Sequence, residues 1–192
     1  ENAITIDSSG EGILTGEADL ILLSSLNMSQ GLLGSTGGTW EFSGDFNKTS
    51  GTLSITETDL TLTNNITLTS DVALSFVTLN LNNFKLTLGS STSDLTVTNA
   101  ITIDASTEGI LTGGADLLLS ALTLSAGDVT STGGAISFQG GGQLSGTGKL
   151  DVSGSTWVLG GDFEKSSGTL TISQTNLELE EDITFSSDEA IR

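Results

Sequence analysis

The chain has 192 residues, of which 24 are acidic and five basic, for a formal net charge of −19, and it contains no Cys, His, Pro or Tyr. Without Cys there is no disulfide scaffold and no thiolate metal site; without His the usual general base and the commonest zinc ligand are gone. The charge argues against nucleic acid and against an anionic membrane surface as partners.

Charged residues are only 15% and hydrophobic ones 35%, which is not the composition of a disordered acidic chain. Thr, Ser, Gly and Asn dominate, and these are residues of exposed strand faces and turns rather than of helices. No apolar run reaches the ~18 residues of a membrane helix; the longest, around Leu20-Ile21-Leu22-Leu23, is far shorter. The chain opens at Glu1 rather than Met, so it is expected to be processed or a piece of a longer protein. Acidity, few tryptic sites and the Ser/Thr/Asn/Gly bias predict an extracellular or cell-surface location.

In chain order the predicted elements are short strands, each with apolar residues at i and i+2. The first is Ile4-Thr5-Ile6; Leu33, the Trp40/Phe42 pair and Phe46 mark the next. Then come Leu53-Ser54-Ile55, Leu60-Thr61-Leu62, Ile66-Thr67-Leu68, Leu79-Asn80-Leu81, Leu86-Thr87-Leu88, Leu95-Thr96-Val97 and Ile101-Thr102-Ile103. Towards the C-terminus Leu150/Val152, Trp157/Leu159, Phe163, Leu170/Ile172 and Leu177/Leu179 continue the pattern. Alternation of period two means one buried and one exposed face. Gly, Asn and Asp punctuate the breaks, as in Thr63-Asn64-Asn65 and Leu159-Gly160-Gly161-Asp162.

The chain also repeats itself. Ala3-Ile4-Thr5-Ile6-Asp7 returns as Ala100-Ile101-Thr102-Ile103-Asp104, and Glu11-Gly12-Ile13-Leu14-Thr15-Gly16 as Glu108-Gly109-Ile110-Leu111-Thr112-Gly113, both 97 residues on. Further along, Trp40 matches Trp157, Gly44-Asp45-Phe46 matches Gly161-Asp162-Phe163, Lys48 matches Lys165, and Ser70-Asp71 matches Ser187-Asp188, all 117 residues on. This divides 1–97 from 98–192, with about 20 extra residues in the second copy. A finer period of about 20 links Trp40/Phe42 to Leu60/Leu62, Phe46 to Ile66, Leu150/Val152 to Leu170/Ile172 and Phe163 to Ile183. Three short strands per ~20 residues, with one apolar face each, predict an all-β parallel solenoid of about ten coils, ~48 Å long and roughly triangular in section. It forms one rod, 1–192. A hairpin sandwich fits less well, because its strands recur every 8–12 residues with Pro- or Gly-rich turns.

Gly140-Gly141-Gly142-Gln143-Leu144-Ser145-Gly146-Thr147-Gly148-Lys149-Leu150-Asp151-Val152-Ser153-Gly154 resembles the glycine-punctuated repeats of bacterial autotransporter passengers and large β-helical adhesins. The resemblance implies an exported β-helical stalk or adhesin.

Several residues are candidates for chemistry. Trp40 and Trp157 sit at equivalent places and are expected to fill the core, since Leu60 and Leu62 follow one coil on; a sugar platform is the alternative. Asp162 and Asp182, 20 residues apart with Glu181 beside them, are expected to stack, and such a carboxylate pair is a candidate Ca²⁺ site. The equivalent column of the first copy reads Asp45, Asn65, Lys85, where charges compensate without metal. No glycine-rich calcium-binding nonapeptide is present. Catalytic residues are expected to be none: the one Arg is Arg192, and Glu57, Asp59 and Asp71 form no constellation. Thr ranks such as Leu60-Thr61-Leu62-Thr63 suit ice binding only where they are unbroken, and here other coils interrupt them. Asn27-Met28-Ser29, Asn47-Lys48-Thr49 and Asn65-Ile66-Thr67 are formal glycosylation sequons. No cofactor other than Ca²⁺ is suggested.

These features predict a structural rod whose partner is itself, end to end, either as a filament of separate copies or as a stretch of a longer coil. An adhesin segment that binds glycan or a host surface is the alternative reading. Ice binding and polysaccharide degradation are more remote.

Overall fold

A computed structural model of the chain describes residues 2–89, 94–154, 156–180 and 184–187. Among these residues there are 27 strands and no helix. Every paired strand runs parallel to its neighbours, and consecutive strands lie on three faces in rotation. The first turn is Ile4–Ile6, Gly12–Leu14 and Leu20–Leu22; the ninth is Thr169–Ser173, Asn176–Leu179 and Phe185–Ser187. The protein is therefore a parallel β-solenoid of nine three-strand turns, one fewer than the ~20-residue period suggests. At ~4.8 Å per turn it is a rod of about 40 Å.

The missing turn is explained by the register. On the first face Ile4 pairs with Leu26, Leu26 with Phe46, Phe46 with Leu68, and Ile66 with Leu86, giving steps of 22, 20, 22 and 20 residues. Lys85 then pairs with Gly109, Gly109 with Asp128, Asp128 with Lys149, and Lys149 with Thr169, giving steps of 24, 19, 21 and 20. Phe46 thus stacks on Leu68, not on Ile66. Phe163 pairs with Phe185, a step of 22, and not with Ile183.

Inward side chains form columns that run along the rod. One reads Leu74, Leu95, Leu117, Ile136, Trp157, Leu177; another reads Leu20, Trp40, Leu60, Leu79. Trp40 and Trp157 are completely buried. Each anchors an aromatic knot. Trp40 stacks on Phe42, which stacks on Phe46. Trp157 meets the edge of Phe163 at 4.9 Å, and Phe163 in turn stacks on Phe138. The ring of Phe163 fills space that Gly142 leaves open in the same column: a Cβ there would lie 3.0 Å from it.

The first face is one uninterrupted sheet of nine strands. The second face is split into three strands ending at Thr52–Ile55 and six beginning at Leu74–Phe76. The third is split into four ending at Leu79–Asn80 and five beginning at Ile101–Ile103. The third-face split spans the boundary between the sequence copies, whereas the second-face split falls one turn earlier, inside the first copy. The copies occupy different faces. Ile4–Ile6 lies on the first face, and its counterpart Ile101–Ile103 on the third; Trp40 lies on the third and Trp157 on the second. Thr52–Ile55 lies on the second face and its counterpart Thr169–Ser173 on the first. The second copy is thus turned by one face about the rod axis. Local structure survives the rotation: Glu11 Oε2 accepts the N–H of Asp7 and Ser8, and Glu108 Oε2 accepts those of Asp104 and Ala105.

Candidate functional site

Asp162 sits at a corner, immediately before the strand Phe163–Lys165, and the 22-residue register sets Thr184 opposite it. The N–H of Thr184 donates to Asp162 Oδ1 at 2.7 Å, and the N–H of Phe163 donates to the carbonyl of Thr184 at 3.1 Å. The expected 20-residue stacking of Asp162 on Asp182 is therefore not the register of this corner. Asp182 and its neighbour Glu181 lie outside the described residues. Among the described residues, no group of three or more carboxylates is placed to hold a metal ion.

What Asp162 does is shared by a series of residues that the sequence did not mark as caps. Asp19, Asp45, Asn65, Asp94 and Asp116 each precede a strand in the same way. Their Oδ1 atoms accept the backbone N–H of Thr39, Thr67, Lys85, Asp116 and Ala135, each one turn on, at 2.6–3.3 Å. A corner leaves its strand-flanking N–H without a ladder partner, and a short carbonyl or carboxylate side chain from the turn before supplies one. The signal was available: an Asp or Asn directly before the first inward apolar residue, about one turn apart. The first-copy column Asp45, Asn65, Lys85 is corrected in the same terms. Asn65 does reach the Lys85 main chain, but Asp45 reaches Thr67, because that step is 22 residues.

The described cations lie either inside the rod or on its first face. Lys48 points inward in the column Ile6, Met28, Lys48, Ser70 and is 1% exposed. Its Nζ donates to Asp71 Oδ1 at the rod's edge. Lys165, its counterpart, is 3% exposed, and its strand pairs in register with Phe185–Ser187. Lys85 and Lys149 stand on the first face and share one carboxylate, with Nζ atoms 3.3 and 3.8 Å from Asp128.

No family model, curated protein or solved structure matches the chain. Function therefore has to be read from the residues themselves. Glu57, Asp59 and Asp71 lie apart: Glu57 in a tight corner with φ of 52°, Asp59 on the third face, Asp71 against Lys48. Of the sequons, Asn27 and Asn47 are half-buried register partners on the first face, whereas Asn65 is exposed at a corner. The longest Thr row of that face reads Thr67, Thr87, Leu111, Thr130, Asp151, Thr171, interrupted twice.

Proposed function

We propose that the protein is a structural rod of the extracellular space or cell surface, whose coil is continued end to end, by a second copy or by more of the same coil. The observation that carries this reading is the state of the inward columns at the outermost turns. Leu177 and Leu179 continue the columns of Trp157 and Leu159, which are fully buried, yet are themselves 49% and 54% exposed. At the other extreme Ile4, in the column of Leu26, is 39% exposed. Stacked turns bury one another's apolar faces, and open parallel edges accept further strands. A head-to-tail contact of this kind does not close, so it propagates into fibres. Asp19, Asp45, Asp94, Asp116 and Asp162 are spread over corners where they bond backbone, which supports a structural rather than a catalytic role. Negative-stain electron microscopy of the native material, with chain mass taken from a denaturing gel, is the test. Fibres whose subunit is about this chain's 19.6 kDa support stacking of copies, and fibres of a much larger chain support one long coil. Discrete short rods at all concentrations overturn end-to-end continuation.

The adhesin reading, and with it the bacterial adhesin resemblance, has one observation of its own. A depression of about 520 Å³ on the first face is lined by Ser25, Asn27, Asp45, Asn47, Thr67 and Thr69, amides and hydroxyls suited to sugar hydroxyls. Binding on a glycan array that is lost in Asn47→Leu supports it, and an array without signal removes it.

A further inference from the structure

We propose that the first face is a self-association surface, on which a second copy of this chain docks antiparallel about a twofold axis at Leu111. This contact is lateral and is independent of the end-to-end reading.

The distribution of charge singles out this face. In a chain of net charge −19, its outward strand positions carry Lys85, Lys149, Asp128 and Asp151, which cancel. Among the described residues the strands of the second face present only Glu178 outward, and those of the third Glu41, Asp59 and Glu164, with no cation beside them. The remaining cations of the described residues, Lys48 and Lys165, are buried. The described surface cations are thus gathered on the one face whose ladder runs unbroken along the rod.

The pattern on that face is self-complementary. Lys85, Gly109 and Asp128 occupy one outward row on three successive turns, and Thr87, Leu111 and Thr130 the row beside it. A twofold axis lying along the strand of Gly109 and Leu111 exchanges the turns on either side. It sets Lys85 of each rod over Asp128 of the other, twice by symmetry. On the axis itself Leu111, 46% exposed, meets its own copy. Beside it lies a notch of about 230 Å³, between Lys85, Gly109, Leu111 and Asp128, which exists because Gly109 has no side chain. Further out, Lys149 comes over Asn65 and Asp151 over Thr67, so no like charges face each other.

Seven turns overlap in this arrangement. Strand spacing and residue rise make that about 400 Å² from each rod, at the low end for specific contacts, so the dimer is weak and dissociates on dilution. The other described carboxylates lie on corners and on the remaining faces. With a Debye length of about 8 Å at physiological ionic strength they are screened, whereas at low salt they push the rods apart. Association therefore strengthens as salt is first added, opposite to a contact held by ion pairs alone.

Sedimentation velocity over a concentration series reads this directly. The wild type is expected to show a reversible dimer at about 150 mM salt that is weaker at about 10 mM. Leu111→Asp, at an exposed position, is expected to weaken it about tenfold or more, with an unchanged circular dichroism spectrum. Asp128→Lys alone and Lys85→Asp/Lys149→Asp alone are each expected to be monomeric, while their equimolar mixture dimerises. A wild type that stays monomeric throughout, a Leu111→Asp variant that associates undiminished, or a mixture that fails to dimerise overturns the proposal. Since Leu111 is far from the terminal turns, fibres that persist in Leu111→Asp leave the end-to-end reading standing on its own.

Discussion

Lys48 and Asp71 share a charge pair but not its cost. The lysine side chain is fully buried among apolar columns, while the carboxylate is 43% exposed and keeps much of its water. Removing the two partners should therefore have opposite consequences. Asp71→Ala leaves a buried ammonium without compensation and is expected to cost about 3 kcal/mol, the lower end of the range for such breaks because the site is at the rim. Lys48→Met keeps the volume and removes the buried charge, leaving a solvated Asp71, and is expected to stay within about 1 kcal/mol of the wild type or to stabilise it. Urea midpoints of the two variants check this; equal destabilisation would mean that the charge is not what matters there. The sequence hinted at the pair, since Lys48 and Ser70-Asp71 recur together as Lys165 and Ser187-Asp188. It did not show that a lysine occupies an inward column. The strand Phe46-Asn47-Lys48 alternates with only one apolar member, and charge at its third position reads as surface.

The corners decide the register, and the corners are where apolar periodicity is silent. Alternation made many strands legible from Ile4 to Ile103 and again from Leu150 to Leu179, but not those between Gly109 and Leu144; the pairing of Trp40 with Leu60 and of Trp157 with Leu177 follows from it. It could not distinguish Ile66 from Leu68 as the partner of Phe46. A slip of two residues keeps every side chain on its own face, so the hydrophobic pattern is satisfied either way. The corner caps break the tie: Asp45 Oδ1 accepts Thr67 N–H at 2.6 Å only in the 22-residue register. The same slip displaced the Asp162–Asp182 candidate, because Asp162 caps Thr184. If the caps hold the turns together, Asp45→Ala should lower stability by about 1 kcal/mol, the usual net worth of one hydrogen bond. Asp45→Asn, which keeps a side-chain oxygen, should recover most of the loss. Thermal melts of the two variants side by side are the measurement, and an Asn variant as damaged as the Ala one would show that the carboxylate charge, not the cap, is what counts.

Over the whole rod, the two sequence copies behave as blocks built to the same local rules but set one face out of phase. A repeat detected in sequence shows which strands resemble one another, and carries nothing about which face each will occupy. The phase depends on how many strands intervene, and the number between the copies is not a multiple of three: Ile4–Ile6 is the first strand and Ile101–Ile103 the fifteenth. The third face loses its ladder across this boundary and the second face one turn before it, so that in the middle of the rod the first face alone carries the sheet through. The middle of the rod should therefore be its weakest section. Amides of Thr52–Ile55, Leu74–Phe76 and Leu79–Asn80 are expected to exchange with deuterium at least about tenfold faster than those of Phe46–Lys48 and Ile66–Ser70 in the same turns. Uniform protection across the three faces would count against two blocks.

The net charge of −19 acts on this weak section and on every turn alike. Stacking turns 4.8 Å apart concentrates corner carboxylates along a short rod, so self-repulsion opposes the folded state more than the expanded one. Added NaCl screens that repulsion, and the melting temperature is expected to rise as ionic strength goes from about 10 to about 300 mM. The two sides can be separated by the ion used. Repulsion over a whole surface responds to ionic strength, so CaCl₂ and NaCl matched in ionic strength should stabilise nearly equally apart from loose accumulation of the divalent ion. A specific site follows mass action instead: its stabilisation grows with the logarithm of free Ca²⁺ and appears at concentrations too low to change ionic strength. Micromolar Ca²⁺ that raises the melting temperature would restore a bound ion, with Asp182 and Glu181 as the first residues to replace. A melting temperature that moves only with ionic strength would leave the carboxylates as what the corners show them to be: hydrogen-bond acceptors that hold one turn to the next, at the cost of a charged surface that salt must screen.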